Sequence, residues 1–181
     1  MKYFLISKRL GFRHWADEDF QLAMELGGDC EVSVLIGGPF TEEMVRARLA
    51  NEISQRHEFG VQYWPIFRLD SGQRVGCAGL RPYRSEQRVY ELGVHLRRVF
   101  WRQGLAKEAA RACIDYAFGV LGAEALFAGH HPANEASHQL LLQLGFVRGH
   151  EELYPPTGLM HATYWLANTE TSAQRGMEPI S

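Results

Sequence analysis

The stretch with the most evident chemistry runs from Glu91 to Ala110. A β-rich segment ending at Leu96 enters the loop Arg97 to Gln103, and Gly104-Leu105-Ala106 opens a long helical pattern. The first amides of a helix have no intrahelical partner, and the helix dipole places partial positive charge on them. Small residues at Gly104 and Ala106 let a ligand approach that backbone, so the turn suits a phosphate. Charge points the same way. Six arginines lie between Arg81 and Arg102 against two acids, Glu86 and Glu91, a local excess of four in a chain of net charge −2. Neither G-x-x-x-x-G-K-[ST] nor G-x-G-x-x-G occurs, so the P-loop and dinucleotide fingerprints are excluded. Spacing alone leaves open a plain strand-to-helix turn with glycine for geometry and arginine for solubility.

Titratable side chains cluster around the same stretch. Glu91 and His95 are evenly spaced, which puts both on one face of a regular strand, and a buried Glu91 is a candidate general base. Asn134 and Ser137 open a later helix. Asn134 is a natural cap, and the Ser137 hydroxyl sits in the first turn. His130 and His131 are adjacent, so on a strand they point to opposite faces and make a poor metal pair. His150-Glu151-Glu152 lacks the second histidine of H-E-x-x-H, and no metal site is expected. Cys30, Cys77 and Cys113 are widely spaced and form no C-x-x-C, which fits reduced thiols rather than a disulfide framework.

The elements that must position these groups belong to one domain. The chain has 181 residues, 46% hydrophobic and 22% charged, which excludes wholesale disorder and suits a single domain over 1–168 with a disordered polar tail over 169–181. A near-neutral balance of 19 basic and 21 acidic residues argues against a nucleic-acid partner. Tyr3-Phe4-Leu5-Ile6 is too short for a signal-peptide core, and the apolar run from Cys113 to Gly129 contains Asp115 and Glu124, so no membrane association and a cytoplasmic location are expected.

The pattern predicts a strand over Arg9 to Trp15 and a first helix capped by Asp17 and ending at Gly27-Gly28. Thr41 caps a second helix to about Arg56, with Val45, Leu49 and Ile53 as its apolar stripe. Strands follow over Val61 to Leu69, Arg74 to Leu80 and Val89 to Leu96, the first two joined by an Asp70-Ser71-Gly72 turn. A helix covers Gly104 to Leu121, a strand Ala125 to Ala128, and a helix Asn134 to Leu144. Strands over Phe146 to Leu153 and His161 to Leu166 close the fold. Hairpins mixed with β-α-β crossovers make this an α/β (α+β) protein with a mixed sheet and helices on its faces.

Four segments in this order resemble the GCN5-related N-acetyltransferases, in particular the subgroup of ribosomal-protein N-terminal acetyltransferases. They are Arg9-Leu10-Gly11-Phe12-Arg13; Gly76-Cys77-Ala78-Gly79-Leu80; Glu91-Leu92-Gly93-Val94 with Trp101 to Ala109; and Asn134 to Ser137 with Leu144-Gly145-Phe146. The resemblance covers about Lys8 to Ala167. It implies a mostly antiparallel central sheet flanked by helices on both faces. It also implies acetyl transfer from acetyl-CoA to a primary amine by direct attack in a ternary complex, without a metal. The pantetheine arm would pair with Val94, His95 and Leu96, and the pyrophosphate with Arg102, Gln103, Gly104, Leu105, Ala106 and Lys107. Asn134 would contact pantetheine, Glu91 would be the base, and Ser137 the proton donor or thiol contact. The acceptor would be a small-molecule amine or a protein N-terminus beneath the loop Tyr154 to His161, and homodimers are common in the family.

Two departures stand out. Arg102 occupies a position that is often glycine, and Leu141 occupies the position of a tyrosine that protonates the leaving thiolate in many members. The missing tyrosine supports a rival reading, a non-catalytic acyl-CoA-binding sensor or partner-binding module. A nucleotide-binding α/β protein is a third.

Overall fold

The structure, a computed structural model, describes residues 2–169. In chain order the strands are β1 (Leu5–Ile6), β2 (Leu10–Phe12), β3 (Tyr63–Arg68), β4 (Arg74–Arg84), β5 (Val89–Leu96), β6 (Ala125–His130), β7 (Val147–Tyr154) and β8 (Leu159–Ala167). The helices are α1 (Phe20–Gly27), α2 (Cys30–Ser33), α3 (Glu42–Phe59), α4 (Leu105–Gly119) and α5 (Glu135–Gln143). The strands form one sheet in the order β1-β2-β3-β4-β5-β6-β8-β7. Every neighbouring pair is antiparallel except β5 and β6. A parallel pair needs a crossover, and α4 supplies it.

The parallel pair is short. Val89, Tyr90 and Glu91 pair with Ala125, Leu126 and Phe127, and pairing stops there. Beyond Glu91, β5 stays on β4 through Leu96, while β6 stays on β8 through His130. The sheet therefore opens into a cleft between two strands that are each held firmly on their outer side.

Helices pack on both faces. On one, Leu105, Ala109, Ala110, Cys113 and Ala117 of α4 join Leu141 and Leu144 of the α5 region over the sheet. The alanines let α4 lie close to the strands. Burying Leu105 fully stabilises this contact by about 1.5–3 kcal/mol. On the other face, Leu26 and Leu49 meet Trp15, Tyr63 and Cys77. This two-faced, mostly antiparallel sheet matches the sequence expectation.

Element ends differ in instructive ways. The strand expected over Arg9 to Trp15 shrinks to β2, because side chains take the backbone groups that follow: Trp15 N–H donates to Gln62 Oε1 at 2.9 Å. Asp17 is not the cap of the first helix. Asp19 stands at that position, but its carboxylate bonds no amide of the helix, accepting instead from the Ala16 amide at 2.9 Å and pairing with Arg13 at 2.6 Å. Strand β4 runs past the expected Leu80 to Arg84, and a register shift between Pro82 and Arg84 accommodates the proline. The strand β1 and the short helix α2 were not foreseen. Beyond Thr169 the expected tail lies outside the described residues.

Candidate active site

The cleft has two walls. On the side of α4, the loop leading into the helix turns tightly: Arg102 has φ 58° and Gly104 φ 73°. Left-handed backbone is nearly free for glycine and costs about 1 kcal/mol for other residues, which explains why glycine suits position 102 and what Arg102 pays in strain. The loop is braced from behind. Arg9 Nη1 donates to the Gln103 carbonyl at 3.0 Å, and Arg9 Nε pairs with Glu108 at 2.6 Å. Glu108 also accepts from the Arg9 amide at 2.6 Å and from Ser7 Oγ at 2.7 Å. Burial alone would raise the Glu108 carboxyl, but these donors hold it below the usual carboxylate range. The bracket fixes the first turn of α4 so that its free amides face one place. Trp101 adds a further tie, its Nε1 donating to the Leu96 carbonyl at 2.8 Å. Lys107 reaches across to Gln143 of α5 at 3.3 Å.

The opposite wall lies on the α1–α3 face and carries the titratable groups. The register of β5 on β4 is regular from Glu91 to Leu96, and the irregularity sits in β4. Glu91, Gly93 and His95 therefore share a face, as the even spacing requires. Gly93 is needed there: a Cβ would lie 2.3 Å from the Tyr63 ring, which covers the strand between Glu91 and His95. Tyr63 and His95 ring centroids are 5.6 Å apart. Burial pushes the Glu91 carboxyl above its ordinary range, while Arg81 and a hydrogen bond from Tyr63 pull against it. That environment moves a carboxylate toward the pKa a general base needs.

Behind Tyr63 sits a buried ion pair. Glu52 of α3 pairs with Arg81 of β4, and its second oxygen accepts from the Tyr63 amide at 2.7 Å. The Arg81 guanidinium lies 4.0 Å from the Tyr63 ring centroid. Glu52 is only 6% exposed and follows Leu49 by three residues on the apolar stripe of α3. An acid on a buried stripe was the sequence signal for this pair, and it went unread, as did Tyr63.

Cys77 lies directly across from His95. Burial pushes its thiol up to about 12 and, helped by the Arg81 and Arg48 charges, pushes the His95 imidazole down to about 4. Neither ionises near neutrality, so the two do not form a thiolate–imidazolium nucleophile.

The remaining expected residues lie on the α4–α5 face. Asn134 caps α5, its Oδ1 accepting from the Ser137 amide at 3.1 Å. Ser137 is half-buried in the first turn, across the sheet from Glu91, and no hydrogen bond joins the two among the described residues. Leu141 is 6% exposed and packs in the core. No grouping of histidine, cysteine and acid suited to a metal occurs among the described residues.

A mixed sheet opened at its parallel pair, a helix start on one wall and a half-buried carboxylate at the parting point make a cleft suited to acyl transfer. The matching family is described as an acetyltransferase (GNAT) domain and spans residues 9–147, so the chain belongs to the GNAT acetyltransferases. Among similar proteins, the uncharacterized N-acetyltransferase YoaA of Bacillus subtilis is 29% identical over 149 residues, 78% of this chain and 81% of that protein. The FsC-acetyl coenzyme A-N(2)-transacetylase of Aspergillus fumigatus is 29% identical over 83% of this chain and 67% of that protein. A GNAT-family acetyltransferase from Bacillus anthracis superposes with TM-score 0.75 at 23% identity, covering 89% of this chain and 95% of that one. The ribosomal-protein-S5-alanine acetyltransferase from Vibrio fischeri superposes with TM-score 0.70 at 18% identity, covering 91% and 98%. No helix among the described residues is long and apolar enough to cross a membrane.

Proposed function

We propose that this enzyme transfers an acetyl group from acetyl-CoA to a primary amine by direct attack within a ternary complex. The observation that carries the reading is the parting of β5 from β6 immediately after Glu91, which leaves a carboxylate of raised pKa at the apex of a cleft whose mouth is the start of α4. The pyrophosphate sits on the amides of Arg102 to Lys107, braced by Arg9 and Glu108. The pantetheine arm lies along Val94 to Leu96, with Asn134 on the far side.

The amine nitrogen attacks the thioester carbon, and Glu91 takes its proton directly or through a water. The C–S bond then breaks as the tetrahedral intermediate collapses. The Ser137 hydroxyl offers a hydrogen bond to the departing thiolate, taking up the place of the absent tyrosine. Direct attack needs no enzyme nucleophile, in keeping with the un-ionised Cys77.

Steady-state kinetics with varied acetyl-CoA and amine test this reading. Intersecting lines are expected, and parallel lines would mean an acyl-enzyme. In wild type, kcat/KM falls as pH drops through the raised Glu91 pKa. Glu91→Gln lowers kcat about 100-fold or more and flattens that limb, with acetyl-CoA affinity retained. A Glu91→Gln enzyme with an unchanged rate and profile excludes Glu91 as the base.

A further inference from the structure

The acceptor wall holds a half-buried arginine that, among the described residues, is paired to no carboxylate. Arg48 of α3 is half-buried and stacks on Phe40, its guanidinium carbon 3.9 Å from the ring centroid. Among the described residues it has neither a hydrogen bond nor an ion pair to a carboxylate. Other arginines of α3 and its surroundings do have carboxylate partners. Arg46 pairs with Glu42 at 2.7 Å, Arg81 pairs with Glu52, and Arg13 pairs with Asp19 at 2.6 Å.

The groups that act on Arg48 are those of the acceptor wall: Arg81, Tyr154, Glu52 and Cys77. Burial lowers the Arg48 pKa and the Arg81 charge lowers it further, while Tyr154 and Glu52 act in the opposite sense. Glu52 is already committed to Arg81 and to the Tyr63 amide. His95 is neutral at pH 7, since its pKa is about 4. A half-buried guanidinium left in this setting is costly unless a ligand completes it.

The segments that carry Phe40, stacked on Arg48, and Tyr154, which acts on its charge, meet each other. Pro156, at the tip of the β7–β8 hairpin, lies against Gly37, where a Cβ would come within 2.8 Å of the Pro156 carbonyl oxygen. The tip is itself tied down, with Thr157 Oγ1 2.9 Å from His161 Nε2 and the Tyr154 and His161 rings 4.6 Å apart. A planar guanidinium backed by an aromatic ring keeps its outer edge for a two-pronged contact, the geometry a carboxylate matches. The same charge repels a second ammonium.

We propose that the acceptor is an amine that also bears a carboxylate, an amino-acid-like molecule whose acid group is held by Arg48 while its amine is presented to Glu91. This rests on the acetyl-transfer reading above. Polyamines and aminoglycosides are disfavoured, because they would bring further positive charge beside Arg48.

The test uses the full chain with acetyl-CoA and follows thiol release. Its arms are the standard amino acids, their amides, aminoethyl phosphate and spermidine. An amino acid is expected to exceed its own amide in kcat/KM by about tenfold or more. Arg48→Gln should raise KM for the acid by about 10–100-fold with a smaller change in kcat, bringing it down to the level of the amide, and Arg48→Lys should restore part of the difference. Equal use of acid and amide, preference for spermidine, preference for aminoethyl phosphate over every amino acid, or a preference for the acid that survives Arg48→Gln overturns the proposal. Calorimetry with N-acetylalanine and N-acetylphenylalanine, in the presence of CoA, reads the acid contact without turnover. Saturable binding lost in Arg48→Gln supports the carboxylate contact even where no amine is acetylated, a result that would instead defeat the acetyl-transfer reading. Absence of binding to wild type, or equal binding to Arg48→Gln, overturns it.

Discussion

The two walls of the cleft are made of different materials. The wall toward α4 is main chain: a left-handed turn at Arg102 and Gly104, then a helix start, braced by one bracket of Arg9, Ser7 and Glu108. The wall toward α3 is side chain: Glu91, His95, Tyr63, Arg81, Glu52 and Arg48, drawn from α3, β3, β4 and β5. Amides cannot be mutated and bind any phosphate that fits, so on the proposed reading the first wall serves the constant substrate. Side chains can be exchanged one at a time with the fold intact, so on the proposed reading acceptor choice falls to the second wall.

The sharpest way to break this division is to disturb the main-chain wall alone. Gly104→Val puts a β-branched residue at φ 73° and should weaken acetyl-CoA binding about 10–100-fold by calorimetry. Any residual turnover should keep the wild-type pH profile, because Glu91 is untouched. A shifted profile would mean that the walls are coupled.

The side-chain wall should announce itself in stability against pH. His95 binds a proton more readily in the unfolded chain, at about 6.5, than in the folded one, at about 4. Its contribution to stability is full above 6.5 and is lost as pH falls toward 4, by up to about 3 kcal/mol. Glu91 works in the opposite sense, since its raised pKa makes the folded state hold its proton longer. Urea unfolding of wild type and His95→Gln from pH 7 to 4.5 separates the two. A shallower slope in the variant is expected, and an identical slope would show that His95 is not desolvated.

Glu108→Gln sharpens the account of the bracket. It keeps the shape but gives up the ion pair with Arg9, and a loss of about 1–2 kcal/mol is expected, with acetyl-CoA affinity down a few-fold. Loss of stability with affinity unchanged would mean that the bracket supports the fold and not the loop. The smallest effect is expected at Arg102→Gly. Relief of the left-handed strain should stabilise the chain by up to about 1 kcal/mol, offset by glycine's larger unfolded-state entropy. Acetyl-CoA affinity should fall about threefold or less if the arginine side chain touches phosphate.

The amide wall was largely legible. Gly104-Leu105-Ala106 after an arginine-rich loop states its local geometry in consecutive residues, and the structure places a helix start there. The bracket behind it was not, because Arg9 and Glu108 lie 99 residues apart and nothing in either neighbourhood names the other. On the side-chain wall, the even spacing of Glu91 and His95 gave their common face correctly. Tyr63 was hidden in an aromatic-rich strand that reads as core, and Arg48 in a helix whose exposed face is full of charges. Glu52 alone left a trace, as an acid on an apolar stripe.

The sequence by itself determined the order and kind of most elements and the helix start at Gly104, since each follows from periodicity, capping residues or glycine within a few consecutive positions. Only the tertiary structure decided where β5 parts from β6, which carboxylate stands at that point, and that Arg48 lies among the groups of that wall without a paired carboxylate. Those outcomes depend on burial and on charges brought together from distant segments. Desolvation and pairing are properties of the packed neighbourhood, and no local pattern of residues encodes them.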